Sequence, residues 1–352
     1  MSLPSVNITF TDAAKTLLQR TDRGIVGMIL KDTAPEKNPA VITSADEIPS
    51  NFSEASRKRI TEALTGYERS PLRILAYVVG AAAENYTDAL AYFAGVKIDW
   101  LCAPTAETDK QVDTIKDWVI DQRENEKSRV KAVLPNCEAN NEGIVNFTTK
   151  TATDGTDTFT TEQLCARIAG IFASIPLTMS ATYVELPELT GCSSVSRSDL
   201  EAADTSGKFI IFWDGEKVKT GRAVNSLTGL TKSNQWKKIR VVSIMDIIRG
   251  DLTELAEDNY IGRYPNTYDN KCVLLGAVKE YFEDLIRETA LASADVAFNM
   301  DRIKEYLTKE GVDYSSMTDT EIKQHRTGSY VFLKATIGIL DAIEDIELDI
   351  TI

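Results

Sequence analysis

Histidine is almost absent from this chain. Its one copy, His325, sits in the polar run Lys323-Gln324-His325-Arg326, so a histidine-dependent dyad or triad would have to be built on a solvated residue with no nucleophile motif beside it. No G-x-x-x-x-G-K-S/T loop occurs, and Gly24-Ile25-Val26-Gly27 lacks the glycine spacing of a dinucleotide fingerprint, which leaves nucleotide binding without support. The five cysteines, Cys102, Cys137, Cys165, Cys192 and Cys272, are scattered with no C-x-x-C pair. That is the usage of reduced, mostly buried thiols, not of a zinc or redox centre. No window reaches the apolar length of a membrane span, and the opening residues lack the basic-then-apolar order of a secretion signal; the expectation is a soluble cytosolic product with no direct membrane insertion. Basic residues are also short: 39 Lys and Arg against 53 Asp and Glu leave a net charge of −14. Nucleic acid is therefore a poor partner and a basic protein surface a better one.

What is present is ordinary globular material, 43% apolar and 26% charged over 352 residues, enough for about two domains. The informative stretch is the last one. Ile346-Glu347-Leu348-Asp349-Ile350-Thr351-Ile352 alternates apolar and polar residues strictly, the period of a strand with one apolar face. Val6, Ile8 and Phe10 alternate the same way against Asn7 and Thr9. Such terminal strands either pair within their own subunit or are donated to a neighbour. Burying the four aliphatics Ile346, Leu348, Ile350 and Ile352 is worth about 1.5 to 3 kcal/mol each, against about 1 to 2 kcal/mol for ordering each residue's backbone. One donated arm is marginal, whereas mutual donation raises the effective concentration of the second contact and leads to a polymer.

Between the arms, strands and helices alternate. Apolar runs at Gly24 to Leu30, Leu72 to Val79, Val96 to Ala103, Val130 to Leu134 and Gly143 to Phe147 are too uniformly apolar to have a wet face, which predicts a parallel or mixed sheet covered on both sides. Helices are expected over Ser53 to Leu64, Glu84 to Phe93, Thr105 to Arg123, and from Thr160, whose spacing to Gln163 is that of a capping box. Ala166, Ala169, Gly170 and Ala173 give that last helix a small-residue face for close packing. Asp214-Gly215 between Lys208 to Trp213 and Glu216 to Thr220 signals a hairpin. Beyond a boundary near residue 225, helical periods run through Val242 to Leu255, Val273 to Leu291, Met300 to Lys309 and Asp319 to His325, followed by a strand at Tyr330 to Ile339.

Candidate chemistry is thin. Asp154-Gly155-Thr156-Asp157 lacks the ligand ladder of a calcium loop and reads as a turn. Glu280, Glu283 and Asp284 lie opposite Val278, Tyr281, Phe282 and Leu285 on one helix, the position of a solvated face or of a docking surface for a basic partner. No catalytic residue, cofactor or metal site is assigned.

Several short segments, in order, resemble one family. They are Gly24-Ile25-Val26-Gly27, Glu142-Gly143-Ile144-Val145-Asn146, Ala166-Arg167-Ile168-Ala169-Gly170, Pro176 through Tyr183, Gly207-Lys208, Asn225-Ser226-Leu227, Lys238-Ile239-Arg240, Tyr260-Ile261-Gly262-Arg263 and Tyr268-Asp269-Asn270. Together they resemble the sheath proteins of contractile phage tails and R-type bacteriocins, especially the short sheaths of defective-prophage-like particles.

The resemblance implies a structural protein with no enzyme activity, made of an N-terminal arm (1–20), a core subtilisin-like by fold only (21–225), an α+β C-terminal sheath domain (226–340) and a C-terminal strand arm (341–352). It implies donation of Val6, Ile8, Phe10, Ile346, Leu348, Ile350 and Ile352 to neighbouring sheath subunits. It implies further partners in a tail tube, a baseplate and a tail terminator, and contraction that drives the tube through an envelope. Its implied tube-facing helix carries Lys279, Glu280, Glu283, Asp284 and Arg287 here. Assembly would occur in the bacterial cytoplasm, and the product would be a virion tail or a released bacteriocin particle. The competing readings are an α/β enzyme, which predicts a small oligomer that binds a ligand, and an unrelated filament-forming scaffold.

Overall fold

The computed structural model describes residues 23–126 and 128–351. Its centre is a seven-stranded sheet. The strands are β1 (Ile25–Lys31), β2 (Ala40–Ile42), β3 (Arg73–Val79), β4 (Trp100–Cys102), β5 (Lys131–Pro135), β6 (Ile144–Phe147) and the short strand Lys208–Phe209, with spatial order Lys208–Phe209, β6, β5, β4, β1, β3, β2. All neighbours run parallel except β2, which lies antiparallel to β3 at one edge.

Helices cover both faces, which is why the strands are largely apolar. From β1, Val26, Met28 and Leu30 enter one core with α1 (Glu54–Thr65) and α4 (Thr161–Ser174). Ile25 and Ile29 enter the other with α2 (Thr87–Ala94) and α3 (Val112–Glu124). The local signals act as expected. Ser53 caps α1, its hydroxyl accepting from the Ser56 N–H, and Gly66 ends it at φ +59. Thr160 and Gln163 complete the capping box of α4. The small-residue face of α4 presses on α1 so tightly that a Cβ on Gly170 would lie 2.1 Å from the Ala63 carbonyl oxygen.

Several boundaries differ from expectation, each for a tertiary reason. Of Val96 to Ala103 only β4 is strand, although just before it the Asp99 N–H donates to the Ile25 carbonyl at 3.0 Å and the Asp99 carbonyl accepts from the Lys131 N–H at 2.9 Å; the Asp99 carboxylate accepts from the N–H groups of Gly24 (2.7 Å) and Ile25 (2.9 Å) and meets Arg129 at 2.9 Å. Turns occupy residues 105–110, with Lys110 at φ +55, so α3 begins at Val112. Lys208 to Trp213 is not one strand. Residues 208–209 finish the large sheet, and Ile211–Trp213 then turns into the hairpin with Val218–Thr220. The helix expected to reach Leu291 ends at Arg287, and Leu291–Phe298 is a strand paired with Leu333–Ile339. β2 and the helix Arg197–Thr205 were not expected at all.

The described residues form two compact units. One holds residues 23–249, 285–293 and 337–351, the other 250–284 and 294–336. In the second, Ile303, Leu307 and Ile322 form a small core ringed by Phe298, Tyr306, Tyr314 and Phe332, and the Tyr281 hydroxyl donates to Asp251 at 2.9 Å. The strands Leu291–Phe298 and Leu333–Ile339 contribute residues to both units.

Candidate functional site

The tail of the chain gathers the most unusual surface. Beyond Ile339 no residue up to Thr351 belongs to a helix or strand, so the expected terminal strand pairs with nothing among the described residues. Its apolar side chains face water: Ile346 is 83% exposed, Leu348 76% and Ile350 76%. The alternation is real, but no surface among the described residues buries it. Ile352 and the whole N-terminal set, Val6, Ile8 and Phe10, lie outside the described residues.

The stem of this tail, by contrast, is held. The Leu340 N–H donates to the Ala290 carbonyl at 3.1 Å, and Arg240 bridges the Leu340 and Leu177 carbonyls with its guanidinium. Lys238 pairs with Asp341 and Arg222 with Asp345. Between them Glu344 turns inward, its side chain only 9% exposed. It accepts from the hydroxyls of Ser180 (2.7 Å) and Thr182 (2.6 Å), with Arg222 Nε 3.8 Å away. Burial draws the Arg222 guanidinium down, but the Asp204, Asp345 and Glu344 carboxylates outweigh it and hold it above its ordinary value. Sequence reasoning placed only an acidic tail here. The hydroxyl partners of Glu344 lie more than 160 positions away, and no local pattern pairs them.

The second expected surface lies on the helix Tyr268–Arg287. Val278, Tyr281, Phe282 and Leu285 are buried, while Lys279, Glu280, Glu283 and Arg287 are exposed and Asp284 is half-buried. The face is therefore amphipathic as read, and four of the five named charges reach solvent.

Other charges serve the fold. The Asp246 carboxylate, 3% exposed, binds Arg123 at 2.9 and 3.0 Å and Lys131 at 3.0 Å. Burial alone would raise this carboxyl; Lys131 and Arg123 outweigh it and hold it below 3.8. Asp154 accepts from the Thr156 and Asp157 N–H groups at 2.9 and 2.7 Å, the turn expected of that sequence, and among the described residues no group of His, Cys, Asp and Glu is arranged to hold a metal ion. His325 is half-buried at the end of the helix Asp319–Gln324, its ring Nδ1 3.1 Å from the Arg326 carbonyl. Among the described residues no helix is long and apolar enough to cross a membrane.

With this geometry in place, comparison with known proteins is specific. The phage tail sheath protein central domain matches residues 80–226 and the phage tail sheath C-terminal domain residues 231–352. The tail sheath protein of Clostridium phage phiCD119 is 33% identical over 353 residues, covering 98% of each chain. The helical sheath of the anti-feeding prophage, solved in its contracted state, superposes with a TM-score of 0.74 at 14% identity over 100% of this chain and 99% of that one. A sheath tail protein from Desulfitobacterium hafniense gives 0.69 at 18% identity, over 84% of this chain and 94% of that one.

Proposed function

The chain belongs to the phage tail sheath family, a family of structural subunits and not of enzymes, and on that premise we propose that it polymerises by exchanging terminal strands and contracts to drive a tube through a cell envelope. The observation that carries this reading is the tail with its unpaired, water-facing Ile346, Leu348 and Ile350. An isolated globular protein has no reason to keep a strand-patterned apolar row in water, and a lattice of identical subunits has one.

A receiving edge is available. The ribbon of Leu291–Phe298 and Leu333–Ile339 is a two-stranded sheet, 8 and 7 residues long, so each strand has a side not paired within the ribbon. A two-stranded sheet is weak alone. Adding a seven-residue arm to it satisfies unpaired backbone groups and covers the arm's aliphatics together. In this reading residues 1–20 and 341–352 are the linking arms, 21–225 a subtilisin-like core by fold only, and 226–340 the sheath domain. The mostly parallel sheet between two helical layers supports the second of these assignments. Val6, Ile8, Phe10 and Ile352 complete the exchanged strands.

The exposed charges Lys279, Glu280, Glu283 and Arg287, with Asp284 beside them, are the proposed face toward the tail tube. Baseplate and terminator proteins are the proposed partners at the sheath ends, with assembly in the bacterial cytoplasm. No nucleotide enters the mechanism: the free energy is stored in an extended lattice and released as core-to-core contacts change while strand pairing persists.

The test is negative-stain electron microscopy of the purified chain at rising concentration, beside a chain ending at Asp345 and a Leu348→Asp variant. Hollow cylinders are expected from the intact chain only. Cylinders from the truncated chain would refute strand donation.

A further inference from the structure

Residues 341–345 are attached to their own subunit in a manner unlike any strand or helix nearby. After the Leu340 N–H, residues 341–345 make no backbone–backbone hydrogen bond to the body among the described residues. What holds them is side-chain charge: Lys238 on Asp341, Arg222 on Asp345, and Ser180, Thr182 and Arg222 around the inward-turned Glu344. The site is built, not incidental. Ser180 Oγ and Thr182 Oγ1 lie 2.9 Å apart, and Thr182 Oγ1 also accepts the Ala223 N–H at 3.0 Å. Two hydroxyls are thus positioned by the fold before the carboxylate arrives. The next residue, Ile346, is 83% exposed. The boundary between held and free chain is a single peptide bond.

We propose that residues 341–345 are a detachable latch, with Glu344, Arg222, Ser180 and Thr182 as positioning residues that fix where the arm leaves its subunit. The proposal rests on the strand-donation reading. While latched, the exchanged strand has a defined origin and reach, which sets the spacing of neighbouring subunits. Once unlatched, the five residues 341–345 release about 17 Å of extended chain, so subunits separate during contraction without unzipping the exchanged strand. Charge contacts suit this role because the outer pairs, Lys238 with Asp341 and Arg222 with Asp345, are part-exposed, break individually and weaken with salt, whereas a paired strand opens as a unit.

A glutamyl endopeptidase reads the latch directly, because Glu344 and Glu347 flank the boundary. The ratio of cleavage after Glu344 to cleavage after Glu347, measured by mass spectrometry, is compared between the folded, unassembled chain and a synthetic peptide of residues 339–352. In the folded chain at low salt the ratio should fall about tenfold below the peptide's, the lower end of what hydrogen bonds to a charged group contribute. The Arg222→Gln, Ser180→Ala double variant should return it toward the peptide value, with 1 M NaCl moving wild type the same way. A ratio equal to the peptide's, or protection indifferent to both perturbations, overturns the latch. Circular dichroism melting of the double variant should match wild type, showing that the loosened stem is not general unfolding; a melt lowered along with lost protection assigns these residues to the fold and overturns the proposal.

Its positioning role is read in the lattice. The double variant should form cylinders of uneven diameter, and cylinders identical to wild type overturn that role. If the chain ending at Asp345 still polymerises, strand donation fails, and the protease ratio still decides whether the stem is latched.

Discussion

Replacing Asp246 by alanine isolates a deeply buried charge node. The substitution removes one carboxylate and leaves Arg123 and Lys131, whose side chains are 7% and 5% exposed, as two cations with no anion between them. Breaking a buried pair from one side costs about 3 to 5 kcal/mol, a large part of the roughly 5 to 15 kcal/mol that stabilises a typical domain. The cost is the stranded charge and not the lost attraction. A triple variant with Arg123→Met, Lys131→Met and Asp246→Leu should therefore recover most of the loss. Urea unfolding followed by tryptophan fluorescence is the assay, since Lys131 Nζ lies 4.9 Å from the Trp100 ring. The acid limb gives a second reading. The folded Asp246 carboxyl titrates below its ordinary 3.8, so its contribution is complete above that value and disappears as pH falls through the folded one. Wild type should lose this stability in acid and Asp246→Ala should have none to lose. A loss under about 1 kcal/mol for the single variant, or a triple variant weaker than the single, refutes the reasoning.

Two glycines give opposite signs for one substitution. Gly170→Ala must open the α1–α4 contact against the Ala63 backbone and should cost about 1 to 3 kcal/mol net of its helix-propensity gain. Gly276→Ala, with nothing within 4 Å of the new methyl, should gain up to about 1 kcal/mol; chemical denaturation of both variants checks the pair. Glu62, whose carboxyl burial pushes up to about 7 despite Arg59 beside it, predicts that stability falls as pH rises from 4.5 to 7, because the folded state holds a proton the unfolded chain has released. Glu62→Gln should flatten that window in melts across pH and raise stability above it.

The sheet was legible because its strands are covered on both faces, and continuous apolar runs report that condition directly. Helix ends were legible where one residue settles them, as Ser53, Gly66 and Thr160 do. Reading failed where identity depends on distant partners. The helical period read through to Leu291 overran the helix end at Arg287, and the strand Leu291–Phe298 went unread because it pairs with the distant Leu333–Ile339. β2 is three residues long, too short for any period to show. The arm's alternation was plain in sequence. The stem's attachment was not, since Glu344 meets hydroxyls brought to it by folding alone.

The exposed tail also bears on how such a subunit survives before assembly. A flat row of aliphatics with strand periodicity is a template for runaway fibril growth, yet Glu347 and Asp349 sit between them, and stacking identical copies in register would place like charges one above another. A pairing that offsets those carboxylates or meets them with a different strand escapes the repulsion. Under the proposed strand exchange, the acidic residues would act as a filter on partners: two free arms would reject each other, and each would stay available for the edge of a folded neighbour.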